Sequence, residues 1–476
     1  MAADPLALTT EAYVARALEI LRERCPEEGD EALELGIPQW KPDSGENVIA
    51  RFGTAGIFRL FPDIWDPVRV CAVRELGEMA DGLTEYRDLV AALEADPIIG
   101  PRLGNEVVGG AGLGGGSWQV LSLARELVDG VIKVSGGLDA DSTVIHAAVD
   151  RAVRYLRRQR EEVTTLAPLA DFSSEAQTIS LSTDLTINEL SSEEICAALT
   201  LGGWTVSFAE PNPIFGRGGL MTMVPPTFAI RVSHTVPVRV GGGTNDEVEA
   251  SVQARSEAGQ RVEEVLFRLR AFKRGRVGVR SIFVLIPGLF YGPPVAIVGG
   301  RSGYTGQGRS APYELSAEEG ADFQAFFAGF VAPRSNRILD TAYRRFGDAA
   351  DRSRSEDEIV DLVIAAESLF LDRGSTGELR YRLSVRAASF LGETAERRRQ
   401  ILAFMQKAYD ARSGVVHNGR LDEARLRNLK GETATAAAFT DELEDLVRSA
   451  LKKAARLIES GEPFPPPNWD ELLFPV

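Results

Sequence analysis

The sequence predicts a multidomain α+β protein, with mixed α/β N-terminal and central regions followed by an all-α antiparallel helical bundle. Three observations carry this. The chain has 476 residues, enough for two or three cores. Between about 166 and 334, apolar and polar residues alternate in short runs, the period of half-buried strands. After about 335 the period changes to that of amphipathic helices, with short joins between successive apolar stripes. Four regions follow: 1–165, acidic and mainly helical; 166–334, mixed α/β; 335–461, the helical domain; and 462–476, a proline-rich tail.

In the first region, Thr84 to Leu93 and His146 to Arg160 combine helix formers with apolar residues at helical spacing. Between them, the run Gly109 to Gly116 contains GxGxxG before a helix-like stretch from Ser117 to Val128. Such a loop can cradle phosphate at a helix start, but no clear strand precedes it, and a glycine-rich surface loop is the plainer reading. In the second region, Thr178 to Leu181 and Phe228 to Val240 alternate as strands, Glu193 to Leu199 and Glu247 to Phe272 read as helices, and Arg280 to Ile286 as a strand. His234 sits within the alternating run Val232 to Val236, where a structural or exposed histidine is the expectation. The uncharged run Ser281 to Gly300 has the length of a membrane span. Pro287, Pro293, Pro294 and four glycines interrupt it, so Ile282 to Ile286 and Val295 to Val298 read as two buried strands, with no membrane partner.

Ala332 to Asn336 has linker composition. A first helix spans Asn336 to Phe346. Ser355-x-x-Glu358 has the form of a capping box opening a second helix, whose stripe runs Ile359, Leu362, Val363, Ala366, Leu369 and Phe370. Ser375-x-x-Glu378 repeats that signal before a third helix with Leu379, Leu383, Ala387, Phe390 and Leu391 inward and Gly392 as its stop. Arg382 and Arg386 lie four residues apart on its other side. A fourth helix runs from Ala395 to His417, ended by Asn418-Gly419, and a fifth from Ala436 to Ser460. Pro465 to Pro467 forbid helix at the start of the tail, which is expected to lie along the bundle with Trp469 and Leu472 to Phe474 as anchors.

Net charge is −16, unlike a generic nucleic-acid coat. It is unevenly spread: residues 1–100 carry 9 basic against 20 acidic residues (−11), and residues 373–430 carry 13 against 6 (+7). A phosphate-bearing ligand is therefore drawn to the C-terminal part, unless those arginines are solvated helix faces. Cys25, Cys71 and Cys196 are odd in number and far apart, and His146, His234 and His417 are scattered. This points away from disulfides and zinc and toward a reducing cytoplasm, with no metal and no cofactor expected. Met1 to Thr10 lacks the basic and apolar regions of a secretory signal.

Three strings occur in order: Ala366 to Leu371 (AESLFL), Glu378 to Ala388 (ELRYRLSVRAA), and Tyr409 to Gly419 (YDARSGVVHNG). Together they resemble the Apea-like HEPN domain, over about 125 residues. Leu166 to Phe172 and Glu264 to Ile286 are similar to the companion domain that often precedes this HEPN type in bacterial proteins. The resemblance implies a helical bundle marked by an Arg, four residues, then a His, here Arg412 and His417. It also implies a metal-independent endoribonuclease leaving 2′,3′-cyclic phosphate ends, acting as a homodimer through this domain, in phage defence or a stress response.

The residue types suit that chemistry. RNA carries its own nucleophile, the 2′-hydroxyl, so cleavage needs a base, an acid and a cation on the phosphoryl oxygens. Histidine titrates near neutral pH, and arginine stays charged with donors that fit phosphate. On an ideal helix five residues place Arg412 and His417 about 140° apart, whereas Ser413 shares a face with His417. A twofold dimer is therefore expected to set Arg412, Ser413 and His417 of both chains around one cleft, with Gly414 and Asn418-Gly419 loosening the helix end. Arg382 and Arg386 are candidate phosphate contacts, and Glu367, Tyr409 and Asn418 supporting residues. Ser413 stands where active members of the family often carry Asn, Asp or His. The alternatives are a non-catalytic module that binds RNA or a nucleotide, and a purely structural bundle with Arg412 paired to Asp410 or Glu367 and His417 bonded to a helix-end carbonyl.

Overall fold

A computed structural model of the chain describes residues 4–24, 82–103, most of 123–132, 135, 138–191, 194, 226–238, 245–285, 311–330, 337–371, 377–466 and 469, and the backbone of 36–40, 47–51 and 295–301. The glycine run 109–116, the expected helix 193–199 apart from Glu194, the linker 332–336 and Leu472 to Phe474 lie outside these residues.

The N-terminal part is helical, with α1 (Pro5–Arg24), α2 (Thr84–Ala95) and α3 (Ser142–Leu156) around one core that includes Tyr13, Leu18, Leu89, Leu127 and Val149. The side chain of Asp141 starts α3, accepting from the amides of Thr143 and Val144 at 2.8 and 2.9 Å. Two features depart from the expected first region. A strand pair, β1 (Gly36–Trp40) with β2 (Asn47–Arg51), lies inside it, and the expected boundary at 165/166 falls within the next strand, β3 (Arg160–Ala170). The polar start of β3, Arg160-Glu161-Glu162, masked it in sequence, because helix formers lead directly into the strand.

The central part is an antiparallel sheet flanked by helices. After β3 come β4 (Phe172–Ser174), β5 (Thr178–Ser182), β6 (Leu185–Glu189), β7 (Phe228–Pro237), α4 (Asn245–Phe272), β8 (Gly278–Val279), β9 (Ser281–Leu285) and β10 (Val295–Arg301). The order is β10-β9-β3-β7-β6-β5, with β8 also paired to β3. β3 is the central strand, which explains its nearly continuous buried run from Thr165 to Ala170. The two strands expected within the uncharged run are β9 and β10, and among the described residues no helix is long and apolar enough to cross a membrane. β11 (Tyr313–Leu315) pairs with β4 and leads into α5 (Ala317–Gly329), which opens with a true capping box, Ser316 with Glu319.

The C-terminal helices are α6 (Arg337–Ala350), α7 (Ser355–Phe370), α8 (Leu379–Leu391), α9 (Ala395–Asn418) and α10 (Ala436–Glu459). α7 is the central helix and touches the other four. Its apolar stripe is buried as its spacing requires: Ile359, Leu362, Val363 and Ala366 are inaccessible to solvent. Both expected capping boxes are corrected. Ser355 is already helical, and Arg354 precedes it without a side-chain cap. The residue before α8 is Glu378, in the left-handed region at φ 51°, again without a side-chain cap. Gly392 does end α8: a Cβ there would stand 2.5 Å from Cγ of Arg398 and 2.7 Å from the carbonyl oxygen of Ala388.

The sheet and the bundle share a core. α4 buries Val262, Val265 and Leu269 against Ile230 and Val232 of β7, while Phe267 and Ala271 join the bundle's cluster. The rings of Phe267 and Tyr343 lie 4.1 Å apart between centroids. Three buried guanidinium groups seal the junction. Arg268 donates to the carbonyl of Phe330 at 2.7 Å. Arg270 donates to the carbonyls of Val277 and Gly347, both at 2.9 Å, and pairs with Asp351. Arg448 of α10 donates to the carbonyl of Arg270 at 3.0 Å. Carbonyls at helix ends and turns are thus satisfied by buried side chains, and those of Gly347 and Arg270 from across the junction. Lys452 of α10 donates to the carbonyl of Phe272 and stands over the rings of Phe272 and Phe326.

Candidate functional site

α9 carries the site. Thr394 caps its start, accepting from the amide of Arg397 at 3.1 Å. Ile401, Phe404, Met405 and Ala408 bind its inner face to the core. Gly419, at φ 67°, closes it in the left-handed conformation that glycine adopts without a Cβ penalty, its amide donating to the carbonyl of Val415 at 2.9 Å. The helix is regular through Gly414 to Asn418, so the expected loosening of its end does not occur.

Beyond Gly419 the chain turns back as a short 3₁₀ turn, Glu423–Arg425, pinned by Leu426, which is buried in the bundle core. Between this turn and the last turns of α9 lies an open groove of about 910 Å³. Ser413, His417 and Asn418 line it, together with Asp410 and Lys407, about two and three turns before His417. Arg420, Asp422, Glu423 and Arg425 form the opposite wall. His417 is exposed, and its ring has no hydrogen-bond partner among the described residues; the helix-end carbonyl bond considered from sequence is not made. Of the charged groups, Asp410 is held bidentately by Arg380 of α8, at 2.7 and 2.9 Å, and Arg425 pairs with Asp422 at 3.0 Å. Lys407, Arg420 and Glu423 have no ion-pair partner among the described residues.

Arg412 is elsewhere. As its five-residue offset from His417 dictates, it turns away from the groove toward α7, where its Nη2 stands 3.8 Å from Oε2 of Glu367. The contact is too long for a strong hydrogen bond, and Nε of Arg412 is buried without an acceptor. Burial pushes the Glu367 carboxyl above the ordinary glutamate range, and Arg412 offsets part of that. Of the two acidic partners considered for Arg412, Glu367 is therefore the one present. Tyr409 packs its ring against the bundle core rather than into the groove.

The arginine pair on α8 divides. Arg386 donates to the carbonyl of Phe370 at 2.8 Å and lies 5.2 Å from the ring of Trp469, so it fastens the tail to the bundle. Arg382 is half-buried and already engaged within the chain. Neither lines the groove. Sequence reasoning missed Lys407, Arg420 and Glu423. A signal existed for the first, since positions 407, 410, 414 and 417 repeat at helical spacing and share one face. Arg420 and Glu423 follow the helix, and only the return of the chain places them opposite His417.

Among the described residues, no group of three or more His, Cys, Asp or Glu side chains is placed to hold a metal ion. Compared with protein-family models, with the curated proteins and with the solved structures, the chain finds no match in any of the three.

Proposed function

We propose that the C-terminal bundle is an endoribonuclease of the HEPN class, with His417 as its acid–base group, acting on the phosphodiester backbone of RNA without a metal ion. The observation that carries this reading is the state of His417: an imidazole open to solvent and, among the described residues, without a hydrogen-bond partner, in a groove shared with Lys407 and Arg420, which form no ion pair among those residues. An imidazole can give or take a proton at neutral pH, and a cation within the groove can bind a phosphoryl oxygen. Among the described residues that line the groove there is no Phe, Tyr or Trp, while charged groups predominate, which fits recognition of the backbone. A twofold dimer through this face is the assembly the family resemblance implies, and the exposed Val416 and Tyr381 on α9 and α8 supply apolar surface for it.

The test is incubation of the full chain with RNA in EDTA, followed by end analysis. Wild type should leave 2′,3′-cyclic phosphate and 5′-hydroxyl ends, and His417→Ala should lose about two to four orders of magnitude in rate. DNA of the same sequence should be untouched. Equal cleavage by wild type and His417→Ala would remove His417 from the reaction.

A second reading is favoured by the turning of Arg412 toward Glu367, away from the groove. In it the groove binds RNA or a nucleotide without cutting. Then wild type leaves RNA intact, while Lys407→Ala and Arg420→Ala weaken binding and flatten its salt dependence.

A further inference from the structure

Resting on the nuclease reading, we infer that Glu423 is the second acid–base group of the same groove, so that one protomer holds both the proton acceptor and the proton donor for transesterification. The reaction needs two such groups, one at the 2′-hydroxyl and one at the leaving 5′-oxygen. His417 is the imidazole that lines the groove, and three carboxylates line it as well: Asp410, Asp422 and Glu423. Two of these are committed. Asp410 accepts both arms of Arg380, and Asp422 accepts from Arg425. A carboxylate held by a guanidinium is a poor proton acceptor, because protonation would forfeit the ion pair. Glu423 has no such partner among the described residues and is exposed at the wall facing α9. Its backbone is fixed, since the amide of Leu426 donates to its carbonyl at 3.1 Å and Leu426 is buried. The 3₁₀ turn therefore presents an exposed side chain from an anchored position.

The step balances as follows. The Glu423 carboxylate takes the proton of the 2′-hydroxyl as the O2′–P bond forms. The P–O5′ bond breaks, and the His417 imidazolium gives its proton to O5′. Lys407 and Arg420 face the non-bridging oxygens and offset their developing charge. The products are a 2′,3′-cyclic phosphate and a 5′-hydroxyl. Exchange with solvent then returns the proton from Glu423 and restores the one lost by His417.

The experiment measures cleavage of a mixed-sequence single-stranded RNA oligonucleotide by the full chain across pH, for wild type, Glu423→Gln, Glu423→Asp and His417→Ala. A substrate carrying 2′-deoxyribose at every position serves as the inert control. Glu423→Gln should lower kcat by about 10²- to 10⁴-fold with little change in KM, and should abolish the rising limb of the pH–rate profile. Glu423→Asp should restore part of the rate and the limb. Because Glu423 is exposed and bonds only through its backbone, the Gln variant should melt with wild type. Wild-type kcat and an unchanged profile in Glu423→Gln, with His417→Ala inactive, would overturn this inference and leave the nuclease reading standing. A wild-type chain that cleaves no RNA would overturn both.

Discussion

Replacing Phe267 by alanine removes a ring that belongs to two parts of the molecule at once. The side chain stems from α4, whose neighbouring positions pack on the sheet, yet it is buried against Phe330, Tyr343 and Phe346 on the bundle side. It is 8 % exposed, so nearly all of its apolar surface is lost to solvent in the fold. A buried Phe→Ala change costs about 3–5 kcal/mol through lost transfer energy and the cavity left behind. The close ring contact with Tyr343 places this site in the upper half of that range. Where the loss is felt is the informative part. Because α4 connects both cores, amide exchange should accelerate together in β7 of the sheet and in α10 of the bundle. Hydrogen-exchange mass spectrometry resolves these two segments in one experiment. Acceleration confined to α6 and α10, with β7 at its wild-type rate, would refute the shared core and restore an independent C-terminal domain.

Other expectations follow from single contacts. Glu367 has its carboxyl raised by burial, so its contribution to stability is complete below the ordinary glutamate range and is lost as pH rises through the elevated value. Glu367→Gln should therefore gain in Tm relative to wild type as pH rises above the ordinary glutamate range; a constant difference across that rise would count against it. Burial pushes the Lys452 ammonium down to about 8, with Arg448 and Arg456 adding to the effect. Stability should accordingly rise as pH climbs from there toward the usual lysine range, and Lys452→Met should remove that rise while stabilising the chain by about 1 kcal/mol at neutral pH. Arg386→Ala should cost about 2 kcal/mol by removing its bond to the carbonyl of Phe370 at the end of α7 and its hold on Trp469 of the tail, read by thermal melting, and should leave the salt dependence of RNA binding unchanged.

The helical part was legible because each helix buries a whole stripe, as α7 does with Ile359, Leu362, Val363 and Ala366. Its starts were not legible, because Ser-x-x-Glu is common in charged sequence: Ser355 is already inside its helix, and Ser375 lies outside the described residues. The capping box that forms, at Ser316, lies in a stretch for which no helix had been expected. The strand β3 was cut short by its charged beginning. At the site, the separation of Arg412 from His417 followed from helix geometry alone. Glu423 and Arg420 stayed hidden, since their position depends on a turn that no periodicity describes. Arg386 lies outside the groove for a further reason: its guanidinium meets the ring of Trp469 in the tail and the carbonyl of Phe370 at the end of α7.

α4 has 28 residues and contributes to both cores from its C-terminal half, between Ala258 and Ala271. At 1.5 Å per residue it is about 42 Å long, so a tilt of about 5° at one end carries the other by about 4 Å. Its first turn is held by Arg102, which pairs with Glu247 and donates to the carbonyls of Leu156, Arg158 and Val238. A ligand or neighbour that displaced that single guanidinium would work on the long arm of a lever whose short arm is Phe267 between the rings of Tyr343 and Phe346.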